Sequence, residues 1–337
     1  MNQASDSRPA GDAGEAGPQR KHIHCNLCGA DDAVVRIPST LASEERSNWN
    51  VYACTSGGYG QHGPIVQCKR CGLVYANPRP DGGNVLDIYE AVKDPLYVEE
   101  REGRVLTFEH HLKPLEAFTG PPAQRPLLDV GAYTGVFVDI AGRHGWGAWG
   151  VEPSKWAVEH AQAQGLRMKL GTLESADFPE HTFSVVTMWD VIEHVTDPLN
   201  TLKAAGRVLQ PGGLLVVHTM DIDSLFARLM GKRWPWFMEM HLFYFSRRTM
   251  AAMLEKAGFE VLWIGAQGRY LQAGYLASRV TALAPAIGRP LEALITKLRL
   301  RKKTARVNLG DLFTTYARKN VSSDLPQNPE GWFVKAH

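Results

Sequence analysis

Two sets of residues in this chain have types and spacings that could do chemistry. The first is Asp129-Val130-Gly131-Ala132-Tyr133-Thr134-Gly135, preceded by Leu127-Leu128. An apolar run ends in a carboxylate and a glycine turn follows. Phe137, Ile140, Ala141 and His144 then recur at i, i+3, i+4 and i+7, which predicts an amphipathic helix. Strand, glycine turn and helix together build a nucleotide site at the carboxyl end of a strand in an open α/β sheet. A glycine, lacking Cβ, lets the backbone approach such a ligand closely. Trp146 to Glu152 predicts a second short strand, ending in a carboxylate roughly twenty residues beyond the turn, where it can accept ribose hydroxyl protons. Gly131 and Gly135 stand four apart. The G-x-G-x-x-G of a dinucleotide site is therefore missing, which weighs against a nicotinamide-dependent oxidoreductase.

The second set is Cys25-Asn26-Leu27-Cys28-Gly29 and Cys68-Lys69-Arg70-Cys71-Gly72. Each C-x-x-C is followed by a glycine that permits a tight turn, so two turns can aim four sulfurs at one point. Cys25, Cys28, Cys68 and Cys71 thus predict a closed tetrahedral zinc site of structural type, with iron as the alternative ion. The wide separation of the pairs predicts an insertion loop from Leu41 to Gln67. Cys54 reads as a packing residue, and His22, His24 and His62 as surface histidines rather than ligands.

On these residues the chain resembles class I S-adenosylmethionine-dependent methyltransferases. Asp129-x-Gly131-x-x-x-Gly135 is similar to their first motif, with Tyr133 standing where a second glycine is usual. The likeness continues through Phe178-Pro179-Glu180-His181-Thr182-Phe183-Ser184-Val185-Val186, then Trp189-Asp190-Val191-Ile192-Glu193-His194-Val195, then Arg207-Val208-Leu209-Gln210-Pro211-Gly212-Gly213. The run Cys71-Gly72-Leu73-Val74-Tyr75-Ala76-Asn77-Pro78-Arg79-Pro80 resembles the end of a zinc-binding segment that precedes many bacterial methyltransferases. The resemblance implies a Rossmann-like sheet of seven strands, closed by an antiparallel hairpin at its edge, and S-adenosylmethionine as cofactor. It implies that Asp129, Gly131, Tyr133, Gly135 and Glu152 surround the cofactor. It also implies that Leu173 and Glu174 meet the adenine, and that Trp189 and Asp190 meet the methionine moiety.

Length and composition fit that picture. A chain of 337 residues, 44% hydrophobic, can hold one large α/β domain and one small one. A net charge of +2 argues against a strongly basic nucleic-acid binder. No apolar run approaches the roughly 18 residues needed to span a bilayer. Residues 1–20 read as a disordered tail without a signal-peptide core. Paired cysteines suit a reducing compartment, and the cytoplasm is the expectation. Residues 21–80 are expected to form the zinc-binding domain and 81–105 a linker containing Tyr89 and Tyr97. Residues 106–319 are expected to form the methyltransferase domain and 320–337 a loosely held tail, with Trp332-Phe333-Val334 able to dock.

Within the core, Ser154 and Asp197-Pro198 mark helix starts, and Phe183 to Trp189 and Leu214 to Thr219 mark strands. Trp234 to Phe245 is an aromatic-rich loop that reads as an acceptor pocket, or more blandly as a lid on the core. His241 and His194 fall at the junction of cofactor and acceptor and are the candidate general bases for a hydroxyl or carbon acceptor. Residues 267–308 form an insertion, predicted as two amphipathic helices split by Pro285 to Pro290. The second of these ends in a basic run, so 291–306 could touch a membrane surface; a solvated face or a homodimer contact is the plainer reading. The partner expected is a small-molecule acceptor for a monomer or homodimer, lipid- or glycan-linked in one reading. The competing reading is a non-catalytic zinc-knuckle protein with a degenerate methyltransferase core.

Overall fold

Adjacent apolar residues in the central strands point to opposite faces, and this alternation sets the layers. Leu127, Val185, Leu214 and Val216 pack into one buried cluster, while Leu128, Val186, Leu215 and Val217 pack into another. A sheet apolar on both faces must be covered on both. The computed structural model describes residues 20–41, 58–80 and 101–320. The first tail, Cys54, Tyr89, Tyr97 and the C-terminal tail lie outside those residues.

The chain begins with β1 (Arg20–Lys21), β2 (Ala33–Ile37), β3 (Ile65–Cys68), β4 (Val74–Ala76) and β5 (Arg79–Pro80). A long helix, α1 (Arg101–Thr119), leads to β6 (Pro126–Val130). Then come α2 (Val136–Arg143), β7 (Gly147–Glu152), α3 (Lys155–Gln162), β8 (Met168–Leu170), β9 (Phe183–Trp189), α4 (Pro198–Val208) and β10 (Leu209–Met220). The rest comprises α5 (Leu225–Met230), β11 (Phe243–Tyr244), α6 (Arg247–Lys256), β12 (Phe259–Ala266), β13 (Arg269–Gln272), α7 (Ala273–Leu283), α8 (Pro285–Lys297), β14 (Thr304–Val307) and β15 (Leu312–Lys319). Seven strands form the main sheet in the order β12-β15-β10-β9-β6-β7-β8. β15 runs antiparallel between β10 and β12, and the remaining neighbours are parallel. This is the predicted sheet with its edge hairpin.

Helix starts follow their caps. Ser154 accepts from the Ala157 amide, Asp197 from Asn200, and Ser246 and Thr249 bond reciprocally as a capping box. The chain reverses its reading in three places. The break between α7 and α8 falls at Ala284, not across Pro285–Pro290: Pro285 sits at the first helical turn, which its fixed φ favours, and Pro290 lies inside α8. The insertion also opens and closes with the β13–β14 hairpin, which its short polar sequence did not announce. Finally, part of the stretch read as a projecting loop is buried, with β3 and Ile65 inside the fold.

The cysteine-bearing segment is not a separate bead. β2, β3 and β4 form a sheet whose fourth strand is β11, with Phe243 opposite Tyr75 and Tyr244 opposite Val74. Cys25, Leu27, Cys68 and Tyr75 belong to the same buried cluster as Leu128 and Val186 of the main sheet. Asn26 holds the start of α4: its amide donates to Asp197 Oδ1 at 2.8 Å and its oxygen accepts from the Leu199 amide at 3.0 Å. Lys256 donates to the Leu27 carbonyl.

The turn after β6 is tightly packed. Gly131 has φ +66°, and a Cβ there would lie 2.7 Å from Val191 Cγ2. Gly131→Ala is expected to cost about 1–3 kcal/mol of stability through backbone strain and this clash. Urea unfolding measures it, and an unchanged midpoint would mean that the turn relaxes freely.

Candidate active site

The carboxyl ends of β6, β9 and β10 converge with the aromatic loop and the insertion around a cavity of about 240 Å³. Its wall includes Gly131, Tyr133, Trp189, Asp190, His194 and His241, six of the residues singled out in the sequence. Asp129, Gly135, Glu152, Leu173 and Glu174 stand outside that wall. Asp129 is buried beneath the turn and accepts from the Thr187 hydroxyl at 2.7 Å. Leu173 is buried in the core, and Glu174 is exposed while accepting from the Thr201 hydroxyl. Glu152 reaches back to the glycine turn: its oxygens accept from the amides of Tyr133, at 3.0 Å, and Ser154, at 2.9 Å. Tyr133 itself has φ +46°, the left-handed conformation that the missing glycine would have taken more easily.

Burial sets the charges here. Desolvation pushes the Asp129 carboxyl up to about 8, against the Thr187 hydrogen bond that favours ionisation. Glu152 rises to about 7 for the same reason, moderated by its two amide donors. Glu193 is pushed to about 8 by burial and by the neighbouring Asp190.

The two predicted histidines meet. His194 and His241 have ring centroids 4.8 Å apart. His241 Nδ1 lies 2.7 Å from the Trp236 carbonyl and His194 Nδ1 lies 2.9 Å from the Met240 carbonyl. A carbonyl only accepts, so each Nδ1 carries the proton and each Nε2 presents a lone pair. Burial holds the His241 pKa well below 6.5, with His194 adding to the effect, so the ring is neutral at pH 7. Glu193, whose carboxyl accepts from Thr219 at 2.9 Å, completes a trio of ligand atoms within 4.8 Å of one another. Such a trio has the donor set to hold a divalent cation.

Several wall residues escaped the sequence reading. Arg269, on β13 of the insertion, donates to Asp190 and lies over the Trp236 ring at 5.6 Å. His111 and His218 sit beside Trp189, with ring centroids 5.1 Å apart. A histidine inside the apolar run of β10 was a readable signal for His218; nothing in the sequence marked Arg269. The aromatic loop serves as both core and wall. Trp234 and Phe237 are buried, Trp236, Met238 and Met240 face the cavity, and both tryptophan Nε1 atoms donate to Asp311.

In the N-terminal sheet, the four cysteine sulfurs lie within 4.8 Å of one another, with Cys25–Cys71 at 3.4 Å and Cys28–Cys68 at 3.5 Å. Tetrahedral sulfurs around zinc stand about 3.8 Å apart for bonds of about 2.3 Å, so this donor set fits such an ion. His22 and His24 are exposed beside Asp31 and His62 is buried; none joins the sulfurs.

Residues 99–263 match the model of a methyltransferase-domain family. That match runs from just before α1 into β12 and so contains the glycine turn, the histidines and the aromatic loop. The ubiquinone biosynthesis O-methyltransferase of Alkalilimnicola ehrlichii is 32% identical over 104 residues, covering 29% of this chain and 42% of that protein. The protein of the same name from a Bradyrhizobium species is 31% identical over 127 residues, covering 36% of this chain and 48% of its own length. The chain thus spans less than half the length of these relatives. Among solved structures, an S-adenosylmethionine-dependent methyltransferase from Mesorhizobium loti is 17% identical, covers 61% of this chain and 96% of its own, and has a TM-score of 0.41.

The buried acids at the carboxyl ends of β6 and β7 make stability pH-dependent. Unfolded carboxyls release their protons near pH 4. The folded chain keeps those of Asp129 to about 8 and of Glu152 to about 7. Folding therefore takes up protons in that window, and stability falls as pH rises through it. Asp129→Asn is expected to flatten the fall in Tm between about pH 5 and 8; parallel profiles for variant and wild type would show Asp129 to be ionised in the fold.

Proposed function

We propose that this chain transfers a methyl group from S-adenosylmethionine to a hydroxyl of a small-molecule acceptor. The observation that carries this reading is one cavity walled by the glycine turn on one side and by a pair of lone-pair-bearing histidines on the other. The matching methyltransferase family and the O-methyltransferase names of the relatives support it. The fit to the cofactor rests on Gly131, which lines the cavity at the turn, and on Glu152, held against that turn by amides. S-adenosylmethionine, when bound, supplies an electrophilic methyl group on a sulfonium whose departure needs no acid.

The chain's own residues then have separable tasks. Gly131, Tyr133 and Gly135 shape the turn, and Glu152 receives the ribose hydroxyls. Leu173 and Glu174 border the adenine, while Trp189 and Asp190 border the methionine end, with Asp129 supporting the turn from below. His241 Nε2 takes the acceptor's hydroxyl proton, and His194 seconds it. Dry walls of Trp236, Met238 and Met240 orient the acceptor, and orientation is the larger share of the acceleration. The relatives' name points to an acceptor of ubiquinone biosynthesis, and the aromatic and methionine part of the wall suits an apolar one.

Cys25, Cys28, Cys68 and Cys71 hold a structural zinc ion in this reading, bracing residues 21–80 against residues 106–319. Four thiolates reserved for a metal suit a reducing compartment, in keeping with a cytoplasmic enzyme. Among the described residues no helix is long and apolar enough to cross a membrane.

Two measurements test the reading. Calorimetry should give micromolar binding of S-adenosylmethionine, and His241→Ala should leave that affinity intact while cutting turnover about a hundredfold. Absent binding would favour a degenerate core, and unchanged turnover would remove His241 from the proton step. Metal analysis should find one zinc per chain, and Cys28→Ser should lose it with a fall of several degrees in Tm; a metal-free wild type of equal stability would refute the zinc assignment.

A further inference from the structure

The insertion has an apolar stripe that nothing in the described structure covers. Ile287, Leu294 and Leu298 recur at i, i+7 and i+11 along α8 and its C-cap, which places them on one face. They are 66%, 52% and 55% exposed. On the adjoining side α8 packs on α7, where Gly288 is buried against Thr281. Single exposed leucines are ordinary, but a periodic row on one helix is not. The charges around the row are mainly positive: Arg289, Lys297, Arg299, Arg301, Lys302, Lys303 and Arg306 are all exposed, against Glu292 as the single acid between 285 and 306. An apolar ridge flanked by cations on a helix lying along the surface matches the chemistry of an anionic bilayer interface.

The same insertion walls the cavity. Arg269, Leu271 and Gln272 of β13 and Tyr275 in the first turn of α7 all line it. The element that bears the exposed ridge is therefore one step along the chain from the element that would meet the acceptor.

We propose that α8 and the basic turn after it dock this protein on an anionic membrane surface, seating Ile287, Leu294 and Leu298 among the acyl chains. Docking in itself is independent of the methyltransferase reading. Its use, bringing the cavity to an acceptor dissolved in the bilayer, rests on that reading.

The full chain should sediment with vesicles of mixed phosphatidylglycerol and phosphatidylcholine at low salt, weakly with phosphatidylcholine alone, and progressively less as salt screens the basic turn. Lys302→Glu with Lys303→Glu should weaken this partition about tenfold or more, since each basic residue near such a surface contributes several-fold. Leu294→Asp with Leu298→Asp should abolish it while leaving S-adenosylmethionine binding, read by calorimetry without vesicles, unchanged. Failure of the wild type to bind the anionic vesicles would overturn the proposal, as would equal binding by the leucine variant. A wild-type dimer that the leucine variant converts to monomer, with no vesicle binding by either, would assign the ridge to a second copy instead. Loss of cofactor binding by the wild type with vesicle binding retained would sink the methyltransferase reading and leave the docking standing.

Discussion

Glu193 is the joint on which the two halves of the structure meet. Its backbone carbonyl accepts from the amides of Leu242 and Phe243, tying the tip beyond β9 to the aromatic loop. Its carboxyl accepts from Thr219 at the end of β10, and its side chain is fully enclosed. Phe243, held in this way, pairs in turn with Tyr75 of the cysteine-bearing sheet. One residue therefore links the main sheet, the aromatic loop and the N-terminal segment. A buried carboxyl without a donor would cost several kcal/mol; Thr219 donates to this one, while the backbone bonds fix the position of the aromatic loop.

Burial arranges the charges around the cavity. Three acids beside it or beneath it, Asp129, Glu152 and Glu193, are all raised towards neutrality by desolvation. Four histidines at its wall, His111, His194, His218 and His241, are all lowered. The charged groups left at the wall include Arg104 and the Arg269–Asp190 pair, with the Arg269 guanidinium over the Trp236 ring.

Much of this was legible in the sequence because the relevant signals are local. The carboxylate-glycine turn, the Ser154, Asp197 and Ser246 caps and the alternation along β9 and β10 are each written within a few residues. The cysteine pairs announced their own convergence. What escaped was non-local. Nothing near Phe243 and Tyr244 says that they pair with residues 74 and 75, and nothing near Arg269 says that it will reach Asp190. Tyr133 could be flagged as a departure from the motif, but only the folded turn shows it adopting the left-handed conformation and donating its amide to Glu152.

The fourth strand of the N-terminal sheet has a consequence for how the chain acquires its shape. Residues 20–80 are synthesised first, yet the strand that completes their sheet, Phe243–Tyr244, is made only after most of the seven-stranded sheet has been translated. Until then β4 keeps an open edge and Tyr75 has no Phe243 to pack on. Such a long loop closure is slow, so the sheet begun by β2, β3 and β4 is completed only late, once the remainder of the chain catches up.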